Sequence, residues 1–422
     1  MTDFHDALET RNPAQREAAL MAALPQQVAH AQARSPAFGE LLAGVDALRV
    51  TDRAALARLP VVRKSELQAR QKTGRAAGQG AFGGFAAVGY GAAMPRLFAS
   101  PGPIYEPEGT ARDYWRMARA IHAAGFRAGE LVHNCFSYHF VPAGSMMESG
   151  AHALGCTVFP GGTGQTEQQV EAIADLQPAG YIGTPSFLKI IVEKAAAMGQ
   201  ALPSLKKALV SGEAFPPSLR DWFGARGIDA YQCFATADLG LIAYETAARE
   251  GLVLDESVIV EIVRPGTGDP VPEGEVGELV VTTLNADYPL IRFGTGDLSA
   301  VLPGHCPTGR SNTRIKGWMG RADQTVKIRG MFVHPAQIAD IARRFPEVLK
   351  ARLVVSGELA SDTMTLQVEA SAAADDSLRA GLSQRIGEAV REVTKLRGEV
   401  QLLQPGSLPN DGKVIEDTRS FK

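Results

Sequence analysis

The most informative stretch of this 422-residue sequence is Tyr288-Pro-Leu-Ile-Arg-Phe-Gly-Thr-Gly-Asp297, which is followed by Gly320-Arg321-Ala322-Asp323. Asp297 lies in a glycine-rich turn after an apolar strand. Its carboxylate only accepts hydrogen bonds, and its two oxygens can accept them from two ribose hydroxyls. Arg321 on a second turn can clamp a phosphate with paired hydrogen bonds. A lysine follows near the C-terminus in Leu408-Pro-Asn-Asp-Gly-Lys413. Three such motifs in this order rarely arise by chance.

The bulk composition limits the class of protein. The length favours two domains, and 45% hydrophobic with 21% charged residues is typical of a globular protein. A net charge of −3 gives no basic face for nucleic acid. Four widely spaced cysteines favour reduced thiols in the cytoplasm over disulfides or a zinc site. We see no signal peptide and no apolar run of the ~20 residues that a membrane span requires.

The N-terminal region is predicted to be helical from about residue 6 to 70 and irregular from Gly74 to Gly91. The irregular part contains a GxGxxG pattern at Gly78, Gly80 and Gly83. A polar helical segment precedes the pattern where a dinucleotide site needs an apolar strand. We therefore interpret it as a loop.

Residues 105–230 alternate between strand and helix patterns. The predicted strands are Leu131–Phe136, Cys156–Phe159, Tyr181–Ile182 and Lys207–Val210, and the predicted helices are Asp113–Ala124, Met146–Leu154, Thr166–Leu176 and Ser186–Met198. This alternation predicts an α/β fold with a mostly parallel sheet covered on both faces. Thr166-Glu-Gln-Gln169 matches a capping box, which predicts that the Thr166 hydroxyl caps the third of these helices.

The texture of the sequence changes after Leu252. Strands Val258–Val263 and Gly277–Thr283 predict an antiparallel β-subdomain, and the C-terminal part reads as a compact α+β unit. An apolar stripe from Leu378 to Leu396 is predicted to be the core face of a helix. We place the domain boundary so that residues 1–322 form a large N-terminal domain and residues 323–422 a small C-terminal one.

Together these motifs resemble the adenylate-forming ligases, specifically the phenylacetate–CoA ligase-like branch, over about residues 95 to 422. The resemblance implies an enzyme that uses ATP and Mg²⁺ to convert a carboxylic acid to an acyl-adenylate. Such an enzyme then transfers the acyl group to coenzyme A and releases AMP. It also implies a C-terminal domain that moves as a lid, and a possible homodimer.

The resemblance assigns the nucleotide pocket to particular residues. Ser211-Gly212-Glu213-Ala214 matches the turn that lines adenine, and Tyr231-Gln-Cys-Phe234-Ala235-Thr236-Ala-Asp238 matches the segment whose aromatic ring stacks on the base. Asp238 keeps the acid that holds Mg²⁺ there, on a shorter side chain. Asp297 is the ribose candidate, and Arg310 and Arg321 are phosphate or ribose candidates.

Three further residues match positions that serve catalysis and domain motion in the family. Lys413 matches the lysine that stabilises the charge developing on the α-phosphate. Asp323 matches the hinge about which the C-terminal domain rotates, although Gln324 follows where the family often has a second acid. Gly330 matches the glycine that lets the pantetheine arm of coenzyme A pass.

The acyl pocket is expected between Asn134–Phe140 and Gly183–Phe187, with Tyr138, His139, Thr184 and Pro185 as its candidates. Aromatic and small residues there suit an aryl or arylalkyl acid. His139 could contact the carboxylate of that acid, or it could be a structural histidine.

One motif departs from the family pattern. The phosphate loop, Ser-Ser-Gly-Thr-Thr-Gly-Lys-Pro in the family, aligns with Ser100-Pro101-Gly102-Pro103-Ile104-Tyr105-Glu106-Pro107, in which an acid replaces the lysine. Two unit charges about 4 Å apart interact by roughly 4 kcal/mol at an effective dielectric constant of 20, so the replacement is adverse for a triphosphate. Either Glu106 or Glu108 joins the Mg²⁺ of the nucleotide, or the loop no longer meets phosphate.

The sequence therefore predicts an AMP-forming acyl-CoA ligase for an aromatic or arylalkyl acid. The alternative is an acyltransferase, or a binder of acyl-adenylate or acyl-CoA, that does not use ATP because its phosphate loop is degenerate.

Overall fold

The chain forms two compact units in this computed structural model, which describes residues 3–101, 103–324, 326–328, 331–357, 363–371, 376–409 and 413–419. Unit 1 comprises Met1–Thr295 and Ser299–Trp318, and unit 2 comprises Gly296–Leu298 and Met319–Lys422. The predicted boundary between residues 322 and 323 lies shortly after this division. Within the described residues, no helix is both long enough and apolar enough to cross a membrane.

Unit 1 contains nine α-helices and the strands of three sheets among its described residues. Its helices are α1 (Pro13–Arg34), α2 (Pro36–Leu41), α3 (Arg53–Ala57), α4 (Lys64–Ala76), α5 (Ala118–Ala123), α6 (Ala143–Leu154), α7 (Thr166–Leu176), α8 (Pro185–Ala197) and α9 (Pro217–Gly224). Its strands are β1 (Val62–Arg63), β2 (Arg96–Ser100), β3 (Ile104–Glu108), β4 (Leu131–Asn134), β5 (Thr157–Phe159), β6 (Gly180–Gly183), β7 (Lys207–Val210), β8 (Asp229–Thr236), β9 (Gly240–Glu245), β10 (Leu252–Leu254), β11 (Val258–Val263), β12 (Gly277–Thr283), β13 (Phe293–Ser299, shared with unit 2), β14 (Val301–Leu302) and β15 (Arg314–Ile315).

The largest sheet confirms the predicted α/β class. Its strand order is β14-β15-β10-β9-β8-β7-β6-β4-β5, and β5, β4, β6, β7 and β8 run parallel. Successive side chains of a strand point to opposite faces. Tyr181 accordingly packs with Val170 and Leu188 of α7 and α8, while Ile182 packs with the cluster that contains Ile121 and Met147 of α5 and α6. Both faces of the parallel region are covered by helices, and its strands all end at one edge.

Two smaller sheets complete unit 1. One has the order β1-β13-β12-β11, with β11 and β12 antiparallel as the sequence predicts and β1 parallel to β13. The other is the hairpin of β2 and β3, in which Ser100 pairs with Ile104 and Phe98 with Glu106. The stretch aligned with the phosphate loop is therefore the end of a β-hairpin.

The predicted helix Asp113–Ala124 is shorter in the structure. Only α5 is α-helical there, because Arg116 has a left-handed backbone with φ 63° and interrupts the helix before Ala118. The Asp113 carboxylate accepts hydrogen bonds from the backbone N–H groups of Met117 and Ala118, at 2.9 and 3.0 Å. Asp113 thus caps the start of α5 from the preceding turn instead of lying within the helix.

The predicted capping box at the start of α7 is wrong. Thr166 is the first helical residue, and the residue at the cap position is Gln165, whose side chain makes no capping hydrogen bond. Gln169 instead turns inward, where its Nε2 donates to the carbonyl of Gly161 at 2.9 Å and its Oε1 lies 2.6 Å from His133 Nε2. The buried Gln169 amide bonds within the loop before α7 and to His133, so it does not reach back to the backbone at the helix start.

Unit 2 is an α+β unit with a four-stranded sheet in the order β20-β19-β18-β21. Its elements are β16 (Val326–Ile328), β17 (Met331–Val333), α10 (Pro335–Arg343), β18 (Val348–Ser356), β19 (Thr363–Ala370), α11 (Asp376–Thr394), β20 (Glu399–Leu403) and β21 (Ile415–Asp417). The predicted apolar stripe is confirmed as core at Leu382, Ile386 and Val390, which pack against Leu366 and Val368. The side chain of Leu378 lies outside the described residues.

Candidate functional site

Two predicted parts of the site meet at the carboxyl edge of the parallel strands, within unit 1. The turn Ser211–Ala214 follows β7, and its neighbour Thr184 follows β6. The backbone N–H of Ser211 donates to the Gly183 carbonyl at 3.3 Å, and the Ser186 N–H donates to the Glu213 carboxylate at 3.3 Å. The predicted adenine turn therefore lies against the predicted acyl turn.

The predicted adenine turn is open to solvent on one side. Ser211 is buried and its hydroxyl donates to the Cys233 carbonyl at 2.8 Å, whereas Gly212, Glu213 and Ala214 are exposed. Gly212 has φ 80°, a left-handed conformation that favours glycine. The turn is anchored by Ser211 and presents its next three residues outward.

The end of β8 carries the second predicted nucleotide segment. Phe234, Ala235 and Thr236 are half-buried, with a register shift between the first two. The Thr236 hydroxyl accepts a hydrogen bond from the backbone N–H of Leu239 at 3.1 Å and closes the turn that carries Asp238. Asp238 itself is buried at the base of this turn.

Asp238 is paired with a lysine that sequence reasoning missed. Lys64, the first residue of α4, donates from Nζ to Asp238 Oδ2 at 2.8 Å. The Asp238 side chain is 1% exposed and the Lys64 side chain 34% exposed, so the ammonium closes the solvent side of the carboxylate. The other oxygen, Oδ1, is buried with no hydrogen-bond partner among the described residues.

Glu106, the acid in the phosphate-loop stretch, is fully buried under the hairpin of β2 and β3. Its carboxyl accepts hydrogen bonds from the hydroxyl and the backbone N–H of Ser100, at 2.5 and 3.3 Å. Burial, together with the nearby negative charge of Asp238, raises the pKa of Glu106 to about 8. At neutral pH this group is therefore mostly uncharged. It repels phosphate much less than the sequence predicts.

The candidate acyl residues have mixed surroundings. Thr184 caps α8 by accepting from the Phe187 N–H at 3.4 Å, and Pro185 is the buried first residue of that helix. The half-buried Tyr138 donates from its hydroxyl to Glu148 at 2.7 Å, which ties it to α6. His139 is exposed next to it, and its contact with an acid stays a prediction.

A polar pair lies near these residues. Arg96 donates to the buried Glu108 at 2.8 Å and to the Ser145 hydroxyl at 3.2 Å. Burial raises the pKa of Glu108, although Arg96 partly offsets this effect. Glu108 is thus occupied by an arginine and packed into the hairpin, while the loop-facing end of the hairpin carries Ser100.

In unit 2 the structure brings Asp297 and Arg321 together. Arg321 Nη1 donates to Asp297 Oδ1 at 3.1 Å, and the two residues also form an antiparallel backbone bridge. The sequence predicts that Asp297 lies in a turn after a strand. In the structure Asp297 lies within β13. Its carboxylate is half-buried, and the Arg321 side chain is 39% exposed.

Three other candidates belong to unit 2. Asp323 lies in a short 3₁₀ turn, Ala322–Gln324, and Gly330 lies outside the described residues. Lys413 is exposed and precedes β21; the backbone N–H of its neighbour Val414 donates to Gln324 Oε1 at 2.7 Å. The segment that carries Lys413 is thus tied to the residue after Asp323. The hinge, tunnel and catalytic roles of these residues stay predictions.

Arg310 lies in different surroundings from those predicted for a phosphate ligand. Its guanidinium is buried, donating to Glu9 Oε1 at 2.7 Å, to the Thr308 hydroxyl at 3.1 Å and to the Asp3 carbonyl at 3.1 Å. These partners engage all three guanidinium nitrogens, and two of them belong to the N-terminal segment. This engagement argues for a structural role.

The donor set of unit 1 suits a hard cation only when other ligands complete it. Among the described residues, no group of three or more histidine, cysteine, aspartate or glutamate side chains is arranged to hold a metal ion. The orphaned Asp238 Oδ1 is a single hard oxygen, and Mg²⁺ is usually bound through one or two carboxylates together with substrate phosphates and water. The site fits a metal that arrives with a nucleotide.

Comparison with known proteins gives a consistent result. The AMP-binding enzyme family matches residues 110–285, and the AMP-binding enzyme C-terminal domain matches residues 330–418. A phenylacetate–coenzyme A ligase of Thermus thermophilus is 30% identical and aligns over 92% of this chain and 92% of its own length. One from Pseudomonas putida is 31% identical over 71% of this chain and 70% of its own.

Solved structures agree with the sequence relatives. The structure of a 2-hydroxyisobutyryl-CoA ligase in an open conformation, in complex with 2-HIB-AMP and CoA, has a TM-score of 0.84 at 25% identity, covering 97% of this chain and 93% of that one. A more distant anthranilate CoA ligase, at 16% identity and a TM-score of 0.51, shares the fold over 75% of this chain and 65% of that one. The chain therefore belongs to the AMP-binding, adenylate-forming enzymes, in the phenylacetate–coenzyme A ligase branch of acid–thiol ligases.

Proposed function

We propose that this protein activates an aromatic or arylalkyl carboxylic acid with ATP and transfers the acyl group to coenzyme A. In the first step a carboxylate oxygen bonds to the α-phosphorus of ATP, and pyrophosphate leaves. In the second step the thiol of coenzyme A bonds to the acyl carbon, its proton is lost, and AMP leaves. Relatives named as phenylacetate–coenzyme A ligases, and a similar structure solved with an acyl-AMP and CoA, support the use of ATP and CoA.

The observation that carries this proposal is the contact between the adenine turn and the acyl turn in unit 1. An acyl-adenylate joins a nucleotide and an acid through one phosphate, so an enzyme that makes it must bind both groups side by side. Ser211 and Glu213 contact Gly183 and Ser186 directly. Adenine bound against Gly212–Ala214 would place its ribose phosphate toward the turn that begins at Thr184.

Each nucleotide role is assigned to particular residues. We assign adenine to Ser211–Ala214 and to the segment Phe234–Thr236, where the ring of Phe234 would stack on the base. We assign the ribose hydroxyls to Asp297, with Arg321 as the group that orients its carboxylate. Asp238 would hold Mg²⁺ through Oδ1, and the ion would neutralise charge on the phosphates of ATP.

The acyl side determines which acid is bound. Tyr138, Thr184 and Pro185 offer an aromatic ring, a hydroxyl-bearing helix cap and an apolar wall, which suits an aryl group better than a short polar chain. The hydrogen bond between Tyr138 and Glu148 fixes the tyrosine ring. We therefore expect a preference for arylacetic or benzoic acids, with His139 near the carboxylate.

The roles of Lys413 and Asp323 are assigned from the family motifs that they match. Lys413 would stabilise the negative charge that grows during adenylation, and Asp323 would act as the hinge between the two half-reactions. We expect a cytoplasmic location and a homodimer. A protein that does not use ATP is not favoured, because the relative that aligns with 92% of the chain is named a ligase and because the raised pKa of Glu106 keeps it mostly uncharged near neutral pH.

The test is a product assay. The full-length protein is incubated with ATP, Mg²⁺, CoA and one acid from a panel of phenylacetate, benzoate, their hydroxy derivatives and 2-hydroxyisobutyrate, and AMP and the thioester are quantified by chromatography. AMP that depends on both the acid and CoA, with an aryl acid preferred, supports the proposal. A preference for the aliphatic acid refutes the aryl specificity, and no AMP with any acid refutes ATP-dependent ligation of the acids tested.

A further inference from the structure

The phosphate-loop stretch contains no lysine or arginine between Ser100 and Pro107, yet a cation lies beside it. Lys64 enters from α4, which is remote in sequence. Its positive charge offsets part of the rise in the pKa of Glu106, and its Nζ donates a hydrogen bond to Asp238 Oδ2. The structure therefore supplies from a helix the charge that the loop itself lacks.

The helix and the hairpin are held in a fixed arrangement. Gln71, two turns after Lys64 on α4, donates from Nε2 to the Tyr105 carbonyl at 2.8 Å and accepts from the Tyr105 N–H at 2.8 Å. Gln71 is fully buried, so these reciprocal hydrogen bonds are shielded from water. These bonds hold the helix that carries Lys64 in a fixed position relative to the hairpin.

The Lys64 ammonium has capacity for a second partner. It carries three N–H donors, and within the described part of the chain its one hydrogen bond goes to Asp238 Oδ2. The lysine side chain is 34% exposed, whereas the carboxylate beneath it is 1% exposed. An anion arriving from solvent would therefore meet Lys64 before it meets Asp238.

We propose that Lys64 binds the β- or γ-phosphate of ATP and replaces the lysine that is missing from the phosphate loop. The inference rests on the proposed function, because it takes the triphosphate of that reaction as the ligand. Asp238 would keep Oδ2 on Lys64 and leave Oδ1 for the metal that accompanies the phosphates. In this arrangement the acid positions the ammonium, and each carboxylate oxygen has one task.

The test separates phosphate binding from the rest of nucleotide binding. Dissociation constants of ATP, AMP and inorganic tripolyphosphate are measured by titration calorimetry with Mg²⁺ and without any acid, for the wild type, Lys64→Met and Lys64→Arg. The matched control is Lys72→Met, because Lys72 is exposed on the same helix. We expect Lys64→Met to weaken ATP and tripolyphosphate about tenfold to a hundredfold, the worth of one hydrogen bond to a charged group, with AMP unchanged. Lys64→Arg should restore part of the loss.

The outcomes distinguish this inference from the proposed function. If the wild type binds ATP and Lys64→Met binds it equally well, the inference fails and the proposed function stands. If Lys64→Met weakens AMP as much as ATP, Lys64 merely supports the fold of the site and the inference also fails. If the wild type binds neither ATP nor tripolyphosphate, both are overturned. Loss confined to ligands that carry β- and γ-phosphates supports the inference.

Discussion

The guanidinium of Arg321 donates to the carboxylate of Asp297 at 3.1 Å, and the backbones of the two residues pair as well. Gly296 leaves room for this approach, because a Cβ built there would lie 2.6 Å from Arg321 Nη2 and the guanidinium would have to shift. Its φ of 73° is also a conformation that favours glycine. The glycine before the aspartate thus suits both its own left-handed backbone and the close approach of the arginine of the second motif, which links the two sequence motifs into one structural feature.

Replacing Asp297 by asparagine should weaken nucleotide binding. The amide keeps the size of the side chain but loses the charge that strengthens hydrogen bonds from ribose hydroxyls and from Arg321. We expect the dissociation constants of ATP and AMP to rise together by about tenfold to a hundredfold, since both carry the ribose. Calorimetric titration of both ligands measures this.

The control for that variant is Asp340→Asn. Asp340 lies on α10 and pairs with Arg343 and Arg344 at the surface of unit 2. Its replacement should leave both affinities unchanged, because exposed ion pairs contribute little. Nucleotide affinity that survives in Asp297→Asn would show that the carboxylate does not bind ribose.

Replacing Lys413 by alanine should slow adenylation strongly and preserve binding. The lysine is expected to stabilise charge that exists only in the transition state, so its removal lowers kcat without raising the dissociation constant of ATP. We expect a loss of about a hundredfold or more in the rate of acyl-adenylate formation, a magnitude typical of removing one such donor. Trapping the adenylate with hydroxylamine in the absence of CoA measures that step alone.

Two further measurements make the result for Lys413 specific. Lys395→Ala changes another exposed lysine of unit 2 and should adenylate at the wild-type rate. Thioester formation from chemically prepared acyl-adenylate should continue in Lys413→Ala, because that half-reaction occurs at the acyl carbon and involves no attack on the α-phosphorus. Equal loss of both half-reactions would contradict a role confined to adenylation.

The buried Glu106 should make the stability of the protein depend on pH. Its pKa is about 8 in the folded state, above its ordinary value of 4.5, so the folded state binds the proton more tightly than the unfolded one. The resulting stabilisation is fully present below pH 4.5 and is lost as the pH rises through 8. The free energy of unfolding should fall by up to about 1.4 kcal/mol per pH unit in that window.

Glu106→Gln provides the comparison for this prediction. The amide oxygen can still accept from Ser100, but the side chain no longer titrates. Urea unfolding of the ligand-free protein from about pH 5 to pH 8 should give a slope that is present in the wild type and reduced in Glu106→Gln. Glu40→Gln, a change at an exposed acid, should retain the wild-type slope. Parallel curves for all three proteins would show that Glu106 is ionised throughout.

Local sequence patterns predicted most of the fold. Strands such as Lys207–Val210 and Val258–Val263 have the bounds that the sequence indicates, because their apolar runs are short and are flanked by turns. The errors arose where one side chain overrides a local pattern. Gln169 bonds to backbone carbonyls across a loop, and Arg116 adopts a left-handed backbone, and neither feature is encoded in the spacing of apolar residues.

The site was predictable only where its parts are close in sequence or match a family motif. The resemblance singled out Asp238 and the phosphate-loop stretch, but not the lysine that joins them. Lys64 is separated from Asp238 by 174 positions, and an isolated lysine at the start of a helix carries no local signal. The state of Glu106 likewise depends on burial, which a charge count along the chain cannot reveal.

Arg310 tests the difference between a motif match and a structural contact. Its partner Glu9 is fully buried and also accepts from the Tyr244 hydroxyl at 2.5 Å. Arg310→Met should therefore leave a buried carboxylate without its cation, which costs about 3–5 kcal/mol. The midpoint of thermal unfolding should drop, while the AMP affinity of the folded protein stays at the wild-type value.

The second variant for this prediction removes the stranded charge. Glu9→Gln combined with Arg310→Met should recover part of the lost stability, because a neutral amide is less costly to bury than an unpaired carboxylate. Arg343→Met, at a side chain that is 75% exposed, should change neither property. If Arg310→Met instead unfolds at the wild-type temperature and loses AMP, the arginine binds nucleotide after all, and its contact with Glu9 must break when the ligand arrives.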